Sequence, residues 1–209
     1  MNKINYQKEL EKELDNIKKK NDIPNLLLHV CCAPCSSYVL EYLTAFFNIT
    51  VLFYNPNIDG KNEYIHRAEE LKRFVSEKRF INNIDVKIYP YDPEEFYSVI
   101  KGFEECAEGG NRCFRCYRLR LEKAAMMALQ GRYDYFTTTL SISPLKNADK
   151  LNEIGKQLSE KYNVPYLYSD FKKKDGYKRS IELSKEYNLY RQNYCGCEFS
   201  KMSIERKEK

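Results

Sequence analysis

The chain has no tryptophan, only two histidines, and no apolar run near the roughly 18 residues that cross a bilayer. A membrane-spanning role is therefore not expected. Its opening, MNKINYQKELEKELDNIKKK, is charged throughout and lacks the apolar stretch of a secretory peptide, which predicts a cytoplasmic protein. Neither G-x-G-x-x-G nor a Walker sequence occurs, and the turn after the first expected strand holds no glycine, so nucleotide hydrolysis is disfavoured. No serine-histidine-acid arrangement is recognisable, although a triad assembled only in space leaves no mark in a sequence. There is no internal repeat, low-complexity segment or long linker, and 209 residues suffice for one well-buried domain rather than two.

What the chain does have is sulfur. Eight cysteines fall into three tight groups, HVCCAPC (Cys31, Cys32, Cys35), CFRCY (Cys113, Cys116) and YCGC (Cys195, Cys197), with Cys106 apart. A reducing compartment makes eight half-cystines improbable, and clustered thiols suit iron-sulfur clusters, zinc or copper(I) far better than hard cations. The net charge is +5, from 35 basic and 30 acidic residues. That excess permits nucleic-acid binding without establishing it.

Apolar runs alternate with helical patterns. Strands are expected at Asn25 to Val30, Ile49 to Tyr54, Asp85 to Tyr89, Tyr133 to Thr138 and Pro165 to Tyr168. Helices are expected at about Cys35 to Phe47, Lys61 to Phe80, Pro93 to Ile100, Cys113 to Leu129 and Asn147 to Tyr162. This order predicts an α/β fold: a doubly wound, five-stranded, mostly parallel sheet with helices on both faces. Residues 1–24 read as a helical extension with an apolar stripe of Tyr6, Leu10, Leu14 and Ile17, and residues 25–209 as a single α/β domain. Ligands of such a sheet gather where loops leave the carboxyl ends of the strands, which is where HVCCAPC and TTTLSISPLKN fall.

Pro34 suits a first helical turn, so Cys31 to Cys35 should lie beside unpaired backbone N–H groups that favour thiolates. Adjacent Cys31 and Cys32 should point apart, serving two centres or leaving one thiol free. Cys32, Cys35, Cys113 and Cys116 would make a four-sulfur site closed only by the tertiary fold, since zinc ribbons separate their knuckles by a mere ~15–20 residues. Cys31, Cys195 and Cys197 could hold a second, mononuclear metal, Gly196 allowing a tight backbone turn. His29, inside an apolar strand, reads as a core residue, and His66 as a phosphate contact or a solvated side chain. Arg115, Arg118, Arg120, Lys172 to Lys174, Lys178, Arg179 and Arg191, interleaved with Tyr117, Tyr177, Tyr187, Tyr190 and Tyr194, form a mixture that can bind phosphates and stack unpaired bases. Ser141, Ser143 and Lys146 follow a strand and either line a nucleoside pocket or serve as ordinary turn and cap residues.

The strings HVCCAPC, FYNPNI, CFRCY, TTTLSISPLKN, DFKKKDGY and YRQNYCGC, in this order from about Leu26 to Phe199, closely resemble the cobalamin-independent epoxyqueuosine reductase family, QueH. The resemblance implies a fold related to the adenine nucleotide alpha-hydrolases, a 4Fe-4S cluster and an adjacent metal ion, iron or zinc. It implies reduction of the epoxide of epoxyqueuosine to queuosine in the anticodon loop of tRNA, with electrons from an external one-electron donor protein. In that reading Cys32, Cys35, Cys113 and Cys116 hold the cluster and Cys31, Cys195 and Cys197 the ion. Asp59 and Tyr194, with Glu63 or water, are candidate proton donors, and Ser141, Ser143, Lys146 and Arg191 candidate substrate contacts. Two rivals are a zinc-stabilised RNA-binding module without catalysis, and an ATP-dependent tRNA-thiolating enzyme, whose phosphate loop is missing here.

Overall fold

The computed structural model describes residues 4–205. Four strands, β1 (Asn25–His29), β2 (Asn48–Phe53), β3 (Ile84–Ile88) and β4 (Tyr135–Thr138), form one sheet in the order β3-β2-β1-β4. All three pairings are parallel, in registers such as Leu28↔Val51, Val51↔Val86 and Leu28↔Thr137. The chain moves outward from β1 through β2 to β3 and then returns to the other side of β1. The sheet therefore reverses direction between β1 and β4, and a crevice opens there beyond their carboxyl ends.

Strand side chains alternate between faces, and both faces are covered. Leu26, Leu28, Ile49, Val51 and Phe53 enter one buried cluster with residues of α1 (Tyr6–Lys20), α2 (Ala33–Leu43) and α3 (Lys61–Glu77). Leu27, Leu52 and Phe136 enter a second cluster with α5 (Asn111–Gln130) and α6 (Ala148–Tyr162). Between β3 and α5 lies α4 (Glu94–Ile100), and the chain ends in α7 (Gly176–Glu186) and α8 (Glu198–Glu205).

Five of these helices match the periodic stretches in the sequence to within a few residues, and α6 is capped by the Asn147 side chain accepting from the Lys150 N–H at 2.9 Å. In α1, Asn5 caps the start and Leu10, Leu14 and Ile17 are buried in the first cluster. Tyr6 stacks on Tyr168 and the Tyr135 hydroxyl donates to Glu13, tying that helix to the sheet's edge.

The expected fifth strand does not form. Pro165 to Tyr168 runs beside β4 but makes a single parallel bridge, Phe136↔Tyr166, through Phe136 N–H to Pro165 O and Leu167 N–H to Phe136 O. Two physical reasons hold the ladder to one rung. Proline has no N–H to donate, and β4 ends after four residues where Thr139–Ile142 winds into a 3-10 turn. The Thr137 hydroxyl occupies the Leu167 carbonyl instead.

Candidate metal centre

β1 delivers its cysteines to the crevice from a cross-braced end. The buried His29 ring bonds Thr138 Oγ1 at 2.8 Å on β4 and the Tyr54 carbonyl at 3.1 Å just beyond β2. A carbonyl only accepts, so Nε2 carries the proton and Nδ1 accepts from the Thr138 hydroxyl, which itself accepts from Leu140 N–H. Burial, with the Arg120 charge adding, pushes the His29 pKa down to about 3. His29 is thus a neutral core brace.

Cys32 is the N-cap of α2, in extended backbone and without a side-chain cap bond, and Pro34 lies in the first turn. This geometry turns the Cys31, Cys32 and Cys35 sulfurs together, all within 4.8 Å of one another. The expected divergence of the adjacent pair is corrected: Cys31 Sγ and Cys32 Sγ are 3.8 Å apart. Contacts from the Cys31 and Cys35 thiols, with the Arg67 charge nearby, hold Cys32 well below the ordinary thiol range. Contacts from the Cys31 and Cys32 thiols push Cys35 up. Three sulfurs this close are a nucleus for a soft metal.

The other four thiols approach from two more segments. Cys113 and Cys116 sit one turn apart at the start of α5, where Gly109 N–H donates to Cys113 Sγ at 3.2 Å. Cys195 and Cys197 flank Gly196, whose φ of +124° is a conformation that residues with side chains rarely adopt. The turn is held by Asp59 N–H donating to Gly196 O at 2.8 Å and Cys195 N–H to Ser200 Oγ at 3.1 Å. All four line one cavity with Arg112, Tyr117 and Arg120. Burial pushes Cys116 up to about 11 and Cys197 up to about 12, and raises Cys113 as well.

Cations link the two groups. Lys146 Nζ donates to Cys195 Sγ at 3.2 Å; although burial opposes its charge, Cys195, Tyr117, Cys31 and Cys35 hold its pKa above the ordinary value. Arg67, 1% exposed, is bonded by Nε to Glu63 at 2.7 Å and lies over the Tyr194 ring. Arg67 Nη2, Arg112 Nε and Arg120 Nη2 are buried without hydrogen-bond partners. All eight cysteines are free. A soft sulfur donor set ringed by unsatisfied guanidinium groups fits an anionic, thiolate-bound metal or cluster, and does not fit a hard cation.

The remaining sequence candidates are distributed unevenly around this centre. Lys146 belongs to it, and Asp59 and Tyr194 adjoin it through Gly196 and Arg67; the Asp59 carboxylate also meets Lys201 Nζ at 3.3 Å. Ser141 is buried, its hydroxyl bonded to Ser169 Oγ and approached by Phe171 N–H, and Ser143 Oγ accepts from Leu145 N–H. The Ser143 contact is local to its turn, whereas Ser141 joins the loop after β4 to the segment at 169–171. Arg191 donates to the Ser184 and Tyr177 hydroxyls of α7, and Cys106 stands outside both thiol groups. Several expected phosphate contacts already hold carboxylates: Lys172 pairs with Asp170, Lys174 with Glu11 and Arg179 with Glu41. Arg120 is 1% exposed, which corrects its reading as an RNA contact. Sequence reasoning missed Arg67 and Asn55. Asn55 Nδ2 donates to Val30 O at 2.9 Å and locks the strand end behind Cys31; position within FYNPNI was the only signal for it.

The description of the sequence model that matches residues 26–203 is epoxyqueuosine reductase QueH. The chain belongs to this family. Among curated QueH proteins, each named epoxyqueuosine reductase, that of Staphylococcus epidermidis is 46% identical over 204 residues, covering 96% of this chain and 86% of that protein. That of Streptococcus pyogenes serotype M1 is 44% identical over 200 residues, covering 95% and 78%. The Thermotoga maritima QueH protein is 38% identical over 190 residues, covering 88% of this chain and 93% of its own length. The similarity thus spans all three cysteine motifs. Among the described residues no helix is long and apolar enough to cross a membrane.

Proposed function

We propose that this chain is a cytoplasmic epoxyqueuosine reductase that converts epoxyqueuosine to queuosine in the anticodon loop of tRNA. The observation that carries the reading is that three thiols lie within 4.8 Å of one another beyond β1 while four more, from two distant segments, line one cavity, with Lys146 and Arg120 interacting with members of both groups, in a chain of the QueH family. The reaction consumes two electrons and two protons: both epoxide C–O bonds break, a C=C bond forms, and the oxygen leaves as water. When bound, a 4Fe-4S cluster supplies single electrons from an external donor protein, and an adjacent iron or zinc ion supplies a Lewis acid. We assign the cluster to Cys32, Cys35, Cys113 and Cys116 and the ion to Cys31, Cys195 and Cys197.

The chain's own residues do the rest. Lys146 holds positive charge beside Cys195 and Arg67 beside Cys32, so negative charge at the crevice is compensated. Asp59 and Tyr194, at the Cys195–Cys197 turn, are the proposed proton donors, and Ser141, Ser143, Lys146 and Arg191 the proposed substrate contacts. We divide the chain into an extension, residues 1–24, and a domain, residues 25–209, with 1–3 and 206–209 outside the described residues, and relate the domain to the adenine nucleotide alpha-hydrolase fold on the reversal of its parallel sheet beside β1.

A second division of the thiols is favoured by one observation. The three sulfurs of the first motif lie within 4.8 Å of one another while the other four line a common cavity, so each group could hold its own centre.

The test is incubation of reduced protein with tRNA carrying epoxyqueuosine, followed by mass analysis of the nucleosides. Loss of one oxygen is required; intact epoxide refutes the reading. Cys113→Ser is expected to abolish the cluster and Cys195→Ser to spare most of it while impairing turnover. Equal loss from both would favour the second division. Binding to tRNA should weaken as salt rises, because phosphate contacts release counterions.

A further inference from the structure

Arg120 lies one turn beyond Cys116 on α5 and is 1% exposed. Its protein contacts are weak and neutral: Nε reaches the Cys116 carbonyl at 3.4 Å, Nη1 reaches Asn55 Oδ1 at 3.5 Å, and Nη2 has no partner. Among the described residues no carboxylate stands within ion-pair distance of it. Burying an unpaired charge is strongly unfavourable, so a guanidinium in this position needs a negative counterpart.

Its depth excludes a tRNA phosphate as that counterpart. What it faces is sulfur: it lines one cavity with Cys113, Cys116, Cys195 and Cys197, and against the cost of burial Cys116, Cys195 and Cys31 favour its charge. The other cations at the site differ. Arg67 has Glu63, Lys146 reaches the Cys195 sulfur from a more open loop, and Arg112 Nη1 donates to the carbonyls of Glu104 and Cys106.

We propose that Arg120 is the fixed counter-charge of the sulfur centre: it compensates the negative charge of the thiolate-bound redox group and raises that group's reduction potential. The inference rests on the reductase reading for the identity of that group. Adding an electron makes the centre more negative, and a permanent positive charge in a water-excluded site favours that state at every pH at which the protein folds. Arg120 is a positioning and tuning residue, since it is too deep to touch substrate.

The experiment compares the full chain, loaded anaerobically with iron and sulfide, with Arg120→Lys and Arg120→Gln. Iron and sulfide per chain are counted, and the midpoint potential is read by visible absorption and electron paramagnetic resonance during reductive titration. Arg120→Gln should move the midpoint to a more negative value, and Arg120→Lys should stay near the parent. A loaded Arg120→Gln at the parent's potential overturns the proposal. If Arg120→Gln takes up no iron, loading of Arg120→Lys supports the charge assignment, and failure of both overturns it. Zinc competition against a chelator provides a readout free of redox chemistry: Arg120→Gln should bind zinc roughly 10–100-fold more weakly than the parent, with Arg120→Lys close to it. Equal zinc affinity in all three proteins also overturns the assignment. A parent protein that loads iron but leaves the epoxide intact refutes the reductase reading alone, because the potentials still decide the role of Arg120.

Discussion

Replacing Gly196 by alanine perturbs the centre at a single atom. A Cβ there would stand 3.1 Å from Arg67 Nη1, 3.4 Å from Ile58 Cγ1 and 3.5 Å from Asn57 Nδ2, on a backbone with φ of +124°. The backbone term alone costs about 1–3 kcal/mol for a residue with a side chain. In a domain of this size each kcal/mol lowers the melting temperature by roughly 2–4 °C, so the metal-free variant should melt about 2–12 °C below the parent. Relief of the strain must rotate the turn that carries Cys195 and Cys197 and push Arg67 away from Cys32, so metal uptake should fall as well. Gly102→Ala is the control: its φ is +80° but its Cβ would meet nothing within 4 Å. It should cost comparable stability and leave metal binding unchanged. Thermal melts of metal-free protein paired with iron and zinc analysis decide the matter. A Gly196→Ala protein that binds metal like the parent would show that the turn does not set the ligand geometry.

Three further outcomes are expected. Because the folded chain keeps His29 neutral down to about pH 3 while the unfolded chain protonates it near 6.5, stability is lost as pH falls from about 6.5 toward 3, by up to ~1.4 kcal/mol per pH unit; His29→Gln should flatten that limb in melts at stepped pH, and an unchanged slope would contradict it. Cys116 and Cys197 stay protonated to about pH 11 and 12, so zinc uptake should release protons and tighten as pH rises from 6 to 9, while the metal-free fold should weaken above about pH 9 as the unfolded chain ionises first; proton release measured with a pH dye checks the first part and melts the second. Gly155→Ala on α6 should destabilise despite a gain of about 1 kcal/mol in helix propensity, because its Cβ would lie 2.3 Å from the Tyr166 ring and overpacking costs ~1–3 kcal/mol; a denaturant midpoint above the parent's would refute this.

Much of this molecule was legible in one dimension. Leu26, Leu27 and Leu28 announce a strand buried on both faces, and the spacing of Tyr64, Ala68, Leu71 and Val75 announces α3, because local periodicity reflects the faces that must be covered. Cysteine grouping pointed to the candidate metal centre, since clustered thiols suit a soft metal. Other features had no local trace. Whether Pro165 to Tyr168 became a strand depended on how far β4 ran before turning at Thr139. The faces of α5 and α3 that point inward decided that Arg120 and Arg67 are buried cations rather than solvated ones, which a basic residue's identity does not disclose. The approach of Lys146 to Cys195 joins chain segments about fifty residues apart, and the 3.8 Å between the adjacent Cys31 and Cys32 sulfurs left no trace in the sequence. Composition and pattern therefore determined four strands, the helices up to α6 and the atoms that can bind metal, but not α7, α8 or the fate of the fifth expected strand. The partners each atom meets, and whether a charge is desolvated, were decided only by long-range packing, because burial is a property of the assembled layers and not of any stretch of sequence.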